Sequence, residues 1–589
     1  MNVHEEFTSR IRAAVESLET RGVVAAGLID RIQVSEPRQA DHGDLATNAA
    51  LVLAGANSMA PREIADLIIR ELRQDPDVAT AVSAGPGFIN ITLRESFWHT
   101  WLERLLVHGP DALLADRGRG RKACVEYVSA NPTGPLHVGT ARGAVIGDVL
   151  ASLLEAVGWK VTREYYINDA GAQVDVLAWS AYVRYLEALG EPQDAAVLEG
   201  LYPGDYLIET GRILAGRYGT TLKQAIGDRQ PGSLPLPEAL VEVRSFVIER
   251  MMEIVRHDLA LAGVHQEVFS SERAMMESGG IERCLEKLDA RGLIYTGVLE
   301  PPKGREPEDW EPVPQTLFRS TCFGDDLDRP LRKSDGSWSY FAPDIAYHNG
   351  KVERGFDLII NVFGADHAGY VKRLKAAVAA LSDDRASFNI LLTQLVRFTG
   401  NDRLARMSKR AGRYVTMREV VESVGKDVLR FIMVTRRNDV PLDFDPVKAL
   451  EQSKDNPVFY VQYAHARICS VLRKAGEAGI DTSELARAPL SRLTESREIA
   501  LIRTLAGWPA AIDAAASAHE PHRIAAWLNT LAGEFHALWN TGRDDPSLRL
   551  VVDGEADLTR ARLALSAATR QVIARGLLLV GVEPREVMR

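Results

Sequence analysis

Apolar positions recur along this chain at two spacings, and the spacing changes from region to region. Near the start, Phe7 to Leu18 repeats at helical spacing, a Gly-Asp-Leu turn follows at Gly43, and Gly87-Phe-Ile-Asn-Ile-Thr-Leu93 alternates as a half-buried strand does. That alternation puts Phe88 and Asn90 on one face, and a compact α+β module over 1–113 fits the stretch. From Ala123 the order becomes strand, helix, strand. Ala123 to Val128 alternates, Val145, Val149, Leu153, Leu154 and Val157 share one helix face, and Lys160 to Ile167 reads as a second strand. Phe356 to Phe363 is an almost continuous apolar run, the signature of a strand buried on both faces of a parallel sheet. Such a sheet is expected over 114–450, with its chemistry at the C-terminal strand ends. Inside it, about 179–265 reads as a helical insertion, interrupted at Pro203-Gly204 and by the proline-rich 231–237. Its role is not legible in the residues.

Beyond about 450 the spacing is helical throughout, which predicts a helix bundle over 451–589. Val461, Ala464, Ile468 and Leu472 form one face, and Pro521 opens a helix carrying Ile524, Trp527, Leu528, Leu531, Phe535 and Leu538. A last helix, about Leu558 to Arg575, buries Ala561, Leu565, Ala568 and Val572 and sets Arg560, Arg562, Arg570 and Arg575 off that face.

Composition narrows the class. A chain of 589 residues with 46% hydrophobic content exceeds a single core, so several domains are expected. No apolar run approaches the ~18 residues of a membrane span, and the acidic opening is unlike a secretory signal, so a cytoplasmic protein with no membrane partner is expected. Cys124, Cys284, Cys322 and Cys469 are scattered with no Cys-x-x-Cys, which suggests neither zinc nor a disulfide framework. A formal net charge of −10 argues against indiscriminate polyanion binding and confines any RNA contact to local basic patches. Arg117-Gly-Arg-Gly-Arg-Lys122 reads as a basic hinge before the first strand of the sheet.

The chemistry-bearing elements are two. Asn131-Pro-Thr-Gly-Pro-Leu-His137-Val-Gly139-Thr140 joins that first strand to its helix, where unpaired N–H groups and the positive end of a helix dipole favour a phosphate. Glycine at 139 would let the backbone approach the ligand. Far downstream stands Arg406-Met-Ser408-Lys409-Arg410. Taken singly, a His at a helix start is more often a cap, and a Ser-Lys-Arg run more often a solvated loop. Together they describe a nucleotide phosphate clamp.

In this order the two elements resemble the HIGH-type and KMSKS-type sequences of class I aminoacyl-tRNA synthetases. Within that class the chain is similar, nearly end to end, to bacterial-type arginyl-tRNA synthetases. The matching residues are Val125-Glu-Tyr-Val-Ser129-Ala-Asn131 through Gly143, Tyr165-Tyr-Ile-Asn168-Asp169-Ala-Gly-Ala-Gln173, Gly364-Ala-Asp366-His367-Ala-Gly-Tyr370, Tyr460-Val-Gln462-Tyr463-Ala-His465-Ala-Arg467 and Gly85-Pro-Gly-Phe-Ile-Asn90. The resemblance implies a multidomain α/β protein: a Rossmann-like parallel-sheet catalytic domain, an N-terminal α+β module contacting tRNA and a C-terminal all-α bundle binding the anticodon. It implies an arginine–tRNA ligase, with arginine, ATP and tRNA(Arg) as partners, Mg2+ accompanying the ATP, no zinc, and a monomeric state.

The resemblance also implies roles. His137, Gly139 and Lys409 would hold ATP phosphates, Ser408 would shape its loop, and Asp366 and His367 would bind ATP after their buried strand, although a turn Asp and a core His fit there equally. Thr140 stands where a second His is usual and Arg406 replaces the first Lys of KMSKS; a hydroxyl still donates a hydrogen bond but cannot become cationic. For arginine, Tyr340 and Asp344 offer a ring and a carboxylate suited to a guanidinium, while Ser129, Asn131 and Asn168 would hold the α-amino and carboxylate groups. Phe88 and Asn90 would meet the tRNA elbow, and Gln462, Tyr463 and Arg467 the acceptor or anticodon path. Two rival readings are a small-molecule nucleotidyltransferase, which would not need the long C-terminal bundle, and a non-catalytic tRNA-binding paralogue in which Thr140 marks decay.

Overall fold

The computed structural model describes residues 2–25, 27–37, 39, 42–194, 197–230, 233, 235–299, 313–399 and 415–588, and these form two compact units. Arg406, Ser408 and Lys409 lie outside the described residues.

One unit joins residues 1–117 with 452–589. Its opening helix, Val3–Thr20, buries Val3, Phe7, Ile11, Val15 and Leu18 at the expected spacing, and the Asn2 side chain caps it by accepting the His4 N–H at 3.0 Å. The helix accompanies an antiparallel sheet of β1 (Val34–Ser35), β2 (Leu45–Thr47), β3 (Val78–Ala84) and β4 (Phe88–Leu93), in the order β1-β2-β4-β3. Because β4 is an inner strand, its alternation is blurred: Ile89, Asn90 and Ile91 are all buried, while Phe88 at its end is 41% exposed. The expectation that Phe88 and Asn90 present one open face is corrected accordingly.

The helical part of this unit comprises Pro457–Glu477, Ser496–Ala506, Trp508–Ala518, His522–Asp544 and Ala556–Leu579. Val461, Ala464, Ile468, Leu472, Ile524, Leu528, Leu531, Phe535 and Leu538 are all buried, as their spacing predicts. Arg562 departs from expectation: it is 2% exposed, pairs with the equally buried Glu498 at 2.6 Å, and donates to the Ser547 and Arg549 carbonyls. A helix packed on several sides must take some polar residues inward, and a guanidinium does so where a carboxylate and carbonyls satisfy it.

The second unit, Gly118–Glu451, is built on a five-stranded sheet. Its strands are β5 (Lys122–Tyr127), β6 (Lys160–Ile167) and β7 (Val268–Ser271), followed, after β8 (Ile294–Gly297), β9 (Gln315–Phe318) and β10 (Arg329–Arg332) of a small antiparallel sheet, by β11 (Leu358–Gly364) and β12 (Ser387–Thr393). The order is β12-β11-β5-β6-β7 and every pairing is parallel. From β5 the chain moves to β6 on one side, and β11 returns to pair with the other, so a crevice opens between them at the C-terminal ends. Helix Val138–Ala156 lies against β5 at Gly147, where any side chain would collide with the Tyr127 ring. The helical insertion is present between β6 and β7, chiefly as Ala172–Ala188, Ile208–Tyr218 and Glu238–Leu261.

Candidate functional site

The crevice is a cavity of about 1040 Å³ lined from the C-terminal ends of all five parallel strands. It brings together Ser129 and Asn131 after β5, His137, Gly139 and Thr140 at the following helix start, Asn168 after β6, Asp366 and His367 after β11, and Tyr340 and Asp344 at the start of helix Phe341–Glu353. Sequence reasoning placed these ten in one site, and the fold collects them there.

The backbone leaving β5 is strained. Val128 and Ser129 adopt φ of 76° and 40° in succession, and a β-branched residue at positive φ is a conformation that only surrounding structure can enforce. The enforcing contacts are visible at Ser129, whose hydroxyl donates to Glu126 at 2.9 Å and accepts the Tyr166 N–H at 3.1 Å. Ser129 therefore orients Glu126 while lining the cavity. Asn131 donates to Gln173 at 2.6 Å, which fixes its amide at the cavity edge.

At the helix start the His137 Nδ1 accepts the Gly139 N–H at 2.9 Å. With Nδ1 accepting, Nε2 carries the proton and its N–H can be donated to a ligand. Withdrawal from bulk water lowers the imidazole pKa, against the opposing pull of Asp366, so the ring is neutral at pH 7. Any side chain at 139 would collide with this ring, so glycine is required there to seat His137. Thr140 lines the cavity, with its own N–H donated to the His137 carbonyl at 3.0 Å. Asp366 and His367 stand at the open mouth, their side chains 81% and 54% exposed and 3.6 Å apart.

The lining of the cavity is carboxylate-rich. Glu126, Glu272 and Asp344 all line it, and Glu164 lies just beneath. Burial, then the Glu272 and Glu126 charges, push the Asp344 carboxyl up to about 7, although the side chain keeps partial exposure through the cavity. Burial likewise raises Glu272, which shares a hydrogen bond with the Tyr166 hydroxyl. Glu126 and Glu164 have cations of their own. Lys351, with no exposed surface, lies 2.5 Å from Glu126 and 3.0 Å from the Asn361 amide oxygen, and Arg354 lies 2.7 Å from Glu164. Burial works against the Lys351 charge, but Glu126, Cys124 and Glu164 outweigh it and raise its pKa. Asn361 donates in turn to His348, whose other nitrogen meets the Asp344 carbonyl at 2.7 Å, and burial holds that imidazole neutral, down to about 3. The arrangement thus leaves the Asp344 and Glu272 carboxylates facing the cavity beside the rings of Tyr166 and Tyr347, whose centroids are 4.4 Å apart. Tyr340, 63% exposed, stands at the rim.

Glu126 and Glu272 were not singled out from sequence. A charged residue directly after the apolar stretch Ala123–Val125 of the strand was the available signal for Glu126. Glu272 follows a four-residue strand containing two serines, which alternation alone does not reveal.

The residues expected to meet RNA lie in the other unit. Tyr463, 37% exposed, stacks with Phe459 at 5.5 Å, and the Arg467 guanidinium lies 4.3 Å from the Tyr463 ring and 5.0 Å from Trp539. This is a stacking surface with a cation. Gln462, by contrast, is 4% exposed and donates to the Glu583 carbonyl at 3.1 Å, so its expected RNA contact is corrected to a packing role. Asn90 is also buried.

Comparison with known proteins agrees along the whole chain. The family profile described as "Arginyl tRNA synthetase N terminal domain" matches residues 5–93, "tRNA synthetases class I (R), catalytic domain" matches 102–204, and "DALR anticodon binding domain" matches 461–588. A curated arginine--tRNA ligase of Ruegeria pomeroyi is 53% identical over 592 residues, and one of Cereibacter sphaeroides is 54% identical over 593, each covering 100% of both chains. The solved structure of Thermus thermophilus arginyl-tRNA synthetase, 22% identical, superposes with a TM-score of 0.73 over 100% of both chains and shares the fold.

Proposed function

The chain belongs to the arginyl-tRNA synthetases, and on that premise we propose how its residues divide the work of an arginine–tRNA ligase. The enzyme activates arginine with ATP and charges tRNA. The arginine carboxylate attacks the α-phosphate, diphosphate leaves, and the terminal ribose hydroxyl of tRNA(Arg) then takes the arginyl group as AMP departs. Full-length relatives that are arginine–tRNA ligases speak against both the small-molecule nucleotidyltransferase and the decayed paralogue.

The observation that carries the assignment of residues is the pairing, in one cavity, of a neutral His137 at a helix start with two carboxylates that burial pushes toward their neutral forms, Asp344 and Glu272. The guanidinium lies between Asp344 and Glu272, against Tyr166 and Tyr347, with Tyr340 over the rim. A planar cation with five donors satisfies both acids and brings Asp344 into its ionised form. Glu126, held by Lys351 and Ser129, takes the α-amino group with Asn131, and Asn168 lies toward the carboxylate. ATP lies along the helix start: His137 Nε2–H and the Thr140 hydroxyl donate to its phosphates, and Asp366 and His367 flank it. Lys409, assisted by Ser408, supplies positive charge to the leaving diphosphate, and Mg2+ arrives with ATP as part of the substrate. Catalysis is then positioning plus stabilisation of charge that grows on the phosphates.

We assign 114–450 to this chemistry, and 1–113 and 451–589 to tRNA contact, with Phe88 on the first and Tyr463 and Arg467 on the second. The profile matches to an N-terminal domain and to an anticodon-binding domain support that division. A monomer acting in the cytoplasm is the expected setting. The deciding experiment is arginine-dependent ATP–diphosphate exchange with tRNA present. Lys409→Ala should lower its rate far more than it weakens arginine binding, because a leaving-group contact strengthens in the transition state. Weakened arginine binding at an unchanged rate would remove Lys409 from that role.

A further inference from the structure

The helical insertion reaches the backbone of the substrate turn through the side chain of Tyr206. The Tyr206 hydroxyl donates to the Thr133 carbonyl at 2.6 Å, and its ring covers Gly134, where a Cβ would stand 2.9 Å away. On its own side Tyr206 is seated by Gly204, where any side chain would collide with the ring. The segment that carries it is tied to helix Ala172–Ala188: the Tyr202 N–H meets Ser180 at 2.9 Å, and Arg184 donates to the Pro203 carbonyl at 2.8 Å. The same helix supplies Gln173, the partner of Asn131. Thr133 in turn donates its N–H to the Asn131 carbonyl at 2.8 Å. One helix therefore holds the turn at its side chain through Gln173 and at its backbone through Tyr206.

A second tie reaches the far end of the turn. Arg418 pairs with Asp258, a fully buried residue of the insertion helix Glu238–Leu261, at 2.7 Å, and the neighbouring Met417 N–H donates to the Leu136 carbonyl at 2.7 Å. A turn rich in proline and glycine, leaving a strained strand end, has little of its own to fix its shape. The insertion supplies that constraint.

We propose that Tyr206 is a positioning residue for activation: by clamping Thr133 and Gly134 it holds Asn131 and His137 in the geometry of the reacting complex. The inference rests on the substrate roles given above to Asn131 and His137. Its effect falls on the rate of adenylate formation, because misplacement by a fraction of an ångström costs alignment before it costs binding.

The test is exchange kinetics on the full-length enzyme with arginine, ATP, Mg2+ and tRNA. Tyr206→Phe keeps the ring over Gly134 and removes the hydrogen bond; it should lower kcat about three- to tenfold with each KM within about twofold. Glu191→Gln, which breaks the exposed Glu191–Lys223 pair elsewhere in the insertion, should leave kcat unchanged. The Asn131→Ala/Tyr206→Phe pair should lose less than the product of the two single losses, since both changes act on one turn. Gly134→Ala approaches the same joint from the turn side, should give the same kcat loss, and decides the matter if Tyr206→Phe fails to fold. A normal kcat in Tyr206→Phe, an equal loss in Glu191→Gln, or additive losses in the pair would overturn the proposal. Normal exchange in Asn131→Ala would overturn only the Asn131 assignment, since Tyr206→Phe still reads the turn through His137.

Discussion

The His137 Nδ1 accepts the Gly139 N–H at 2.9 Å, and the ring fills the space that a side chain at 139 would need. The two residues form one device: the glycine seats the imidazole, and the amide fixes its tautomer with the proton on Nε2. Gly139→Ala should therefore mimic loss of the imidazole. Its activation rate should fall by about 1.5–3 kcal/mol equivalent, the worth of a hydrogen bond to a charged group, and His137→Ala should fall as far. Single-turnover adenylate formation measures both. A Gly139→Ala enzyme with normal turnover would contradict the device.

Thr140→Val keeps shape and removes the hydroxyl, which separates a phosphate ligand from a bystander in the first helical turn. Loss of about 1.5–3 kcal/mol in activation is expected if the hydroxyl bonds phosphate. Normal charging by Thr140→Val beside a failed His137→Ala would assign the phosphate contact to the imidazole alone.

Asp344 sets a pH dependence whose sign follows from its environment. Its carboxyl is raised to about 7, above the ordinary 3.8, so part of the free enzyme holds it protonated at neutral pH, while a bound guanidinium favours the ionised form. Arginine affinity should fall as pH drops from about 8 to about 6, with proton release on binding near neutrality. For the unliganded fold, the folded state binds the proton more tightly than the unfolded chain. The Asp344 contribution to stability is therefore greatest below about 4 and is lost as pH rises through about 7. Asp344→Asn should then melt higher than wild type at pH 8 without arginine, while losing about 3–5 kcal/mol of arginine binding through its unpaired buried cation. Calorimetric titration in buffers of different ionisation enthalpy tests the linkage. An affinity independent of pH, or equal losses for arginine and ATP in Asp344→Asn, would contradict it.

Lys351 belongs to the fold and to the site at once. It is fully buried against Glu126 at 2.5 Å, and Lys351→Met would strand that carboxylate. Destabilisation of about 3–5 kcal/mol is expected, measured by urea unfolding, and arginine should lose affinity in whatever fraction remains folded. Unchanged stability would mean that Glu126 is held in another way.

How much was legible in sequence differs from element to element. The apolar run at Phe356–Phe363 declared a buried parallel strand because two covered faces demand it; Ala123–Val128 was read as alternating, yet β5 is buried on both faces from Ala123 to Tyr127, and the phosphate turn declared itself by lying between that strand and a helix. Glu272 stayed hidden: β7 spans only Val268–Ser271, all partly exposed, and pairs with β6 across about a hundred intervening residues. Arg562 was set on the solvent face because charge is usually outside, but tertiary packing gave it Glu498 and two carbonyls. Gln462 was expected to meet RNA as part of a matching motif, yet its amide is used on Glu583, a partner far along the chain that no local pattern announces. The insertion had no legible role because its links to the turn, Tyr206 on the Thr133 carbonyl and Gln173 on Asn131, join residues far apart in the chain that no local pattern pairs.

The central claim is that Asp344 and Glu272 read the cationic end of the amino acid in the cavity where His137 holds phosphate. Its most direct test is ATP–diphosphate exchange, with tRNA present, comparing arginine with citrulline, which has nearly the same shape but a neutral urea in place of the guanidinium. The wild-type enzyme should discriminate by about 10⁴-fold or more, as sites built around a buried polar partner do. Asp344→Asn and Glu272→Gln should each lose most of that ratio by losing arginine. Comparable exchange with both amino acids in the wild type, or full arginine exchange in both variants, would contradict the claim.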